Sequence, residues 1–166
     1  MAAADLICDT ALFKKSQHIA CYFAVAHEFD CMPIMKAIWQ TGKNCYLPKL
    51  SSLSKDALQF CQYDEKTQLK LNKYRIQEPD TLSYFPAEQL DLVLMPLVGF
   101  DLQGHRLGMG AGYYDRTFQF LHKQTSPKPF MLGLAYELQK ITNIPSDSWD
   151  VSMDGVLTEE QLYLFS

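Results

Sequence analysis

Five glycines fall within the fourteen residues 99–112, between the most apolar run of the chain, residues 91–98 (DLVLMPLV), and an amphipathic stretch over 113–122. A short run apolar on both faces predicts a central strand of a parallel sheet. Tyr114, Phe118 and Leu121 recur at i, i+4 and i+7, which predicts a helix over 113–122. The glycines therefore join a buried strand to a helix. In open α/β sheets ligands bind outside the carboxyl ends of the strands, where such loops lie. Glycine lets the backbone turn through positive φ and approach a ligand closely. A helix start adds unpaired N–H groups and a positive dipole end, and both favour phosphate. Gly108, Gly110 and Gly112 read GxGxG, which is neither a GxxxxGK[ST] loop nor a GxGxxG fingerprint. The segment is an anion loop of unassigned type, with a tight structural turn as the alternative.

The rest of the chain supports an alternation of strands and helices. A helix is predicted over 2–15, with Leu6, Ile7, Ala11 and Leu12 as its buried face. A buried strand follows over 18–25. Asp30 is placed as an N-cap, Pro33 falls in the first turn, and Ile34, Met35, Ile38 and Trp39 supply an apolar face that Gly42 ends. A strand resumes at 44–47, completing a β-α-β unit and implying a parallel sheet. Residues 57–63 read as a strand near a sheet edge, 68–80 as loop, 130–136 as a strand, 141–150 as loop and 155–158 as a last short strand. This pattern predicts a Rossmann-like, three-layer α/β/α fold with a mainly parallel sheet, in a single domain.

Composition narrows the classes. The 166 residues suit one domain with a sizeable core. The net charge is −4 with no Lys/Arg cluster, so no nucleic-acid partner is expected. No apolar run approaches the roughly 18 residues of a membrane span. The start carries no signal-peptide pattern, so a cytoplasmic protein is the default, as a monomer or weak homodimer. The five cysteines form no CxxC pair, and Cys21 and Cys45 lie in apolar runs as small core residues. His18, His27, His105 and His122 make no zinc spacing with them.

Arg106 and Arg116 flank the glycines, and an arginine fork suits phosphate, although an isolated arginine usually forms a surface ion pair. Asp115 at the helix start compensates the dipole or holds Mg²⁺, which takes one or two carboxylates plus nucleotide phosphates. A second carboxylate could come from Asp147, Asp150 or Asp154, and the residues alone do not choose among them. Tyr113 and Tyr114 point about 100° apart on a helix, so Tyr114 fits the core and Tyr113 the ligand.

The stretch from Pro96 to Arg116, PLVGFDLQGHRLGMGAGYYDR, closely resembles the signature of the 5-formyltetrahydrofolate cyclo-ligase family, also called methenyltetrahydrofolate synthetases. Residues 23–30, 42–48 (GKNCYLP) and 149–158 resemble further parts of it. The resemblance implies an ATP loop made of Arg106, Leu107, Gly108, Met109, Gly110, Ala111, Gly112, Tyr113 and Tyr114. It implies folate contacts from Phe23, Glu28, Met109, Gly110, Ala111, Gly112 and Tyr113, and Mg²⁺ on Asp115 and Asp154. No residue is implied as a covalent nucleophile or an acid/base catalyst. The implied reaction turns 5-formyltetrahydrofolate and ATP into 5,10-methenyltetrahydrofolate, ADP and phosphate. Members of the family carry an earlier helix with a Lys-x-x-x-Arg pattern at the ATP phosphates, so a single cyclo-ligase domain over 1–166 without that first helix is implied. Two other readings stay open: a non-catalytic folate-binding member of the same fold with an impaired ATP site, and a different α/β enzyme acting on a phosphorylated sugar or CoA ester.

Overall fold

A computed structural model of the chain describes residues 2–51, 53, 56–108, 110–123 and 129–165. Helices α1 (Ala2–Cys8) and α2 (Ala11–Lys15) stand where one helix over 2–15 is expected. Thr10 makes the break. Its hydroxyl donates to Ile7 O (2.6 Å) and accepts from Phe13 N (3.1 Å), which closes one helix and caps the next. Of the expected face Ile7 is buried and Leu12 partly so, but Leu6 and Ala11 are exposed and Phe13 is buried instead.

Strand β1 (His18–Ala20), helix α3 (Met32–Gln40) and strand β2 (Asn44–Leu50) form the expected β-α-β unit, with β1 and β2 parallel. Cys31, not Asp30, caps α3; Asp30 Oδ1 instead accepts from Met32 N (3.0 Å). Ile34, Met35 and Ile38 are buried as expected. β1 is shorter than the predicted 18–25. After Cys21 N donates to Tyr46 O (2.8 Å) the chain leaves the sheet and turns at Ala26, whose φ is +51°. That departure puts Phe23 and Glu28 beyond the strand end.

Strand β3 (Leu58–Gln62) pairs antiparallel with β2 at one sheet edge. Residues 68–80, expected as loop, contain the antiparallel hairpin β4 (Leu69–Leu71) and β5 (Gln77–Pro79). Asn72 Oδ1 accepts from Tyr74 N (2.9 Å) and Ile76 N (3.2 Å), building the turn from a side chain and so hiding it from any strand pattern. Strand β6 (Leu92–Met95) is central and fully buried. It is followed by a two-stranded ribbon, β7 (Gly99–Phe100) with β8 (Arg106–Leu107), and by helix α4 (Tyr113–Thr117). β9 (Phe130–Leu134), β10 (Gly155–Leu157) and an unforeseen antiparallel edge strand, β11 (Leu162–Leu164), complete the sheet.

The order is β11-β10-β9-β6-β1-β2-β3, with every inner pair parallel. Side chains alternate between two cores, as the pleat requires. Ile19, Cys45, Leu92, Leu94, Leu132 and Leu157 pack under α1, α2 and α3. Ala20, Tyr46, Val93, Met95, Met131 and Val156 face Phe100, Phe118, Val151 and Met153. The second outer layer is thus loops and short helical turns, which leaves room for a cleft at the carboxyl ends of the parallel strands.

Candidate active site

The segment after β6 is anchored before it reaches the glycines. Asp101 is completely buried in the β7–β8 turn. Its carboxylate accepts from the backbone of Gln103 (2.9 Å), His105 (3.0 Å) and Ile144 (3.0 Å) and from His105 Nδ1 (3.0 Å). Burial pushes the Asp101 pKa up, but those donors prevail and hold it below the ordinary value.

β8 then delivers Arg106 into a cleft of about 990 Å³. The Arg106 side chain is 11% exposed, and its Nη2 donates to Asp115 Oδ1 (3.3 Å). Its guanidinium lies 5.7 Å from the Tyr114 ring centre. Arg106 Nε is buried with no hydrogen-bond partner among the described residues. A buried guanidinium donor without an acceptor is costly unless a ligand supplies one. Gly108 makes space for it: a Cβ there would sit 3.0 Å from Arg106 Nη1.

Gly112 caps α4 in the left-handed region, at φ +72°. The helix it begins has five residues, against ten expected over 113–122; residues Gln119–His122 form a separate 3-10 turn. So short a helix contributes little dipole, which leaves Arg106 and Arg116 as the positive groups lining this part of the cleft. Arg116 Nε donates to Asp56 O (2.8 Å), its Nη2 donates to Ala111 O, and its guanidinium covers Tyr113 at 5.7 Å. It braces the loop as much as it faces the cleft.

Tyr114, expected in the core, is half-buried: it stacks on buried Phe118 with centroids 6.3 Å apart and also lines the cleft, while Tyr113 meets Tyr74 of the hairpin. The Tyr113 and Tyr74 hydroxyls lie 3.0 Å apart, an interaction no sequence pattern signals. That contact pushes the Tyr113 pKa up to about 12. Leu107, Gly108, Gly110, Ala111, Gly112, Tyr113 and Tyr114 all line the cleft. Met109, implied for both ligands, lies outside the described residues.

Phe23 and Glu28 form the wall beyond β1. Phe23 meets Tyr63 edge to face at 5.4 Å. Glu28 Oε1 accepts from Val25 N (2.9 Å), and burial raises its pKa against that bond. The β4–β5 hairpin adds Asn72, Tyr74 and Glu78 to the lining, and the segment before β10 adds Asp147, Trp149 and Asp150.

Of the two implied metal ligands, one lines the cleft. Asp115 lines the cleft, and its Oδ1 also accepts from Val151 N (2.9 Å). Asp154 does not line it. Its Oδ2 accepts from Met131 N (2.8 Å), which ties it to the start of β9, whereas the cleft lies at the opposite ends of the strands. Among the described residues no three His, Cys, Asp or Glu side chains converge on one metal position. A Mg²⁺ ion needs one or two carboxylates plus phosphate oxygens, and Asp115 at the cleft fits that donor set.

Residues 1–159 match the family profile described as the 5-formyltetrahydrofolate cyclo-ligase family. The chain belongs to the 5-formyltetrahydrofolate cyclo-ligase family. It is 37% identical over 147 residues to the 5-formyltetrahydrofolate cyclo-ligase of Haemophilus influenzae, covering 87% of this chain and 76% of that one. It is 35% identical to the Escherichia coli cyclo-ligase (87% and 79% covered) and 30% identical to that of Mus musculus (89% and 76%). The solution structure of Aquifex aeolicus 5,10-methenyltetrahydrofolate synthetase superposes with a TM-score of 0.81 at 29% identity, covering 98% of this chain and 79% of that one. The Mycoplasma pneumoniae synthetase gives 0.69 at 25%, with 96% and 83% covered. The chain is thus an enzyme of the cyclo-ligase family, and the α/β fold expected from its sequence is the fold of that family. No helix among the described residues is long and apolar enough to cross a membrane.

Proposed function

We propose that this cleft converts 5-formyltetrahydrofolate and ATP into 5,10-methenyltetrahydrofolate, ADP and phosphate. The observation that carries the reading is the buried Arg106 guanidinium, with Nη2 on Asp115 and Nε awaiting an acceptor, set in the glycine loop of a cyclo-ligase family member. The formyl oxygen is a poor leaving group. In the proposed course it attacks the γ-phosphoryl, releasing ADP and giving a phosphorylated imidate. N10 of the folate then attacks the formyl carbon and loses its proton, and phosphate leaves as the ring closes. Closure is intramolecular, so holding the two nitrogens in place supplies much of the rate. Arg106 and the loop N–H groups stabilise charge on the transferring phosphoryl group.

Phe23 gives the folate an apolar face, and Glu28 offers it a carboxylate. Tyr113, held at the hairpin through Tyr74, would contact both ligands. Asp115 would hold Mg²⁺, which when bound supplies charge neutralisation of the phosphate oxygens. Asp154, whose Oδ2 accepts from Met131 N and which does not line the cleft, is given no part in this reading.

The test is the appearance of methenyltetrahydrofolate absorbance when the protein is mixed with 5-formyltetrahydrofolate, ATP and Mg²⁺. ATP-dependent product formation is expected. Folate binding without product at saturating ATP and Mg²⁺ would replace this reading with that of a non-catalytic folate-binding protein.

A further inference from the structure

Trp149 is 65% exposed, although it lines the cleft. The other tryptophan shows the usual arrangement: Trp39 packs against the core, and its Nε1 donates to Tyr63 O (3.0 Å). Among the described residues the Trp149 indole makes no ring contact and no hydrogen bond. An indole carries a large apolar surface, and leaving it in water forgoes the stabilisation that burial would bring.

The backbone beneath it is nevertheless fixed. Asp150 N donates to Asp147 O (3.1 Å), and Asp147 N donates to Asp150 Oδ2 (2.9 Å). Two residues on, Val151 is buried, and its N–H is held by Asp115 Oδ1 (2.9 Å). That same oxygen accepts from Arg106 Nη2 (3.3 Å). The exposed indole therefore stands on a braced turn, linked through one carboxylate oxygen to the arginine proposed to receive phosphate.

Its place in the cleft is the informative point. Phe23, Glu28, Arg106 and Trp149 all line the one cleft. Trp149 stands two residues from the Val151 N–H that shares Asp115 Oδ1 with Arg106, whereas Phe23 and Glu28 lie beyond β1. A nucleotide with its phosphates at Arg106 and its terminal group toward a folate over Phe23 and Glu28 has the Trp149 indole as an open aromatic face for its base. A purine is flat, and stacking on an aromatic face needs no matching hydrogen-bond pattern.

We infer that Trp149 is the stacking platform for the purine ring of the nucleotide, an assignment that rests on the proposed ATP site. Ligand affinities by equilibrium dialysis on the full chain test it without needing turnover. Trp149→Ala is expected to bind ADP about tenfold or more weakly, the scale of base–aromatic stacking, while Trp149→Phe stays within roughly threefold of wild type. Inorganic pyrophosphate has the phosphates without the base and should bind both proteins equally, as should 5-formyltetrahydrofolate. Because the indole is exposed, the alanine variant should melt as wild type does. Unchanged ADP affinity in Trp149→Ala, or a loss that falls on the folate instead, overturns the assignment. A wild type that shows the expected ADP pattern yet makes no methenyl product overturns the ligase reading alone.

Discussion

Arg106 pairs one guanidinium nitrogen with Asp115 and leaves Nε buried without a partner among the described residues, so the ion pair fixes the group while one donor stays open to a ligand. A hydrogen bond to a charged group contributes about 1.5–3 kcal/mol, so Arg106→Ala should raise the ATP concentration needed for half-maximal rate by roughly 10- to 100-fold. An unchanged ATP dependence in steady-state assays would return Arg106 to a purely structural ion pair. Asp115→Asn separates charge from shape. The amide oxygen can still accept from Val151 N, but the carboxylate charge is gone. Mg²⁺-dependent turnover should fall by at least about tenfold while the melting temperature moves by only a few degrees, the shift expected for about 1 kcal/mol. The residue types at 106 and 115 are legible as phosphate and cation chemistry from the sequence. Their mutual pairing is not, because it depends on how the β7–β8 ribbon folds back over α4.

The β4–β5 hairpin shows what an element adds that its sequence conceals. Residues 68–80 are polar and end at Glu78-Pro79, which reads as loop. Two side chains overrule that reading. Asn72 builds the turn, and buried Glu78 accepts from Leu50 N (3.1 Å) and Asn72 Nδ2 (3.1 Å), fastening the hairpin to β2. Held there, the hairpin brings Tyr74 to Tyr113 across the cleft mouth. Tyr74→Phe removes the hydroxyl that raises the Tyr113 pKa to about 12. In an ultraviolet pH titration of the tyrosinates, one group of the variant should therefore ionise earlier, nearer the ordinary tyrosine value. An unaltered high-pH titration beyond the loss of Tyr74 itself would mean that the two hydroxyls do not meet in solution. Helix α4 teaches the converse. Its periodicity is sound through Phe118, but the chain tightens into a 3-10 turn beyond it, so a dipole argument made on ten residues loses its basis on five.

At the scale of the whole molecule, the folded state depends on pH through buried Asp101 and half-buried Glu28 and Asp154. Asp101 is held below the ordinary carboxylate value by its donors. Its contribution is therefore complete above the unfolded pKa and lost as pH falls through the lower folded value. Glu28 and Asp154 act oppositely. Burial raises both, so what they contribute is complete at low pH and lost as pH rises through their folded values. Asp101→Asn should cost about 1–3 kcal/mol at neutral pH, because the amide cannot satisfy every donor converging on Asp101, and the deficit should shrink in acid. Thermal melts of both proteins across the acid range check this, and a deficit independent of pH would assign it to packing alone. Local pattern and composition were enough to establish the parallel β-α-β unit, the central apolar strand, the glycine loop after it and the list of groups able to meet phosphate. These follow from the period of apolar residues and from backbone conformations that glycine alone adopts easily, which are short-range properties of the chain. Tertiary structure decided which carboxylates line the cleft, and that a hairpin and an exposed tryptophan line it with them. Those depend on contacts between residues distant in sequence, such as Val151 with Asp115 and Met131 with Asp154. The glycine loop could thus be recognised from the chain alone, but Asp115 and Asp154 could be told apart only by where the sheet places them.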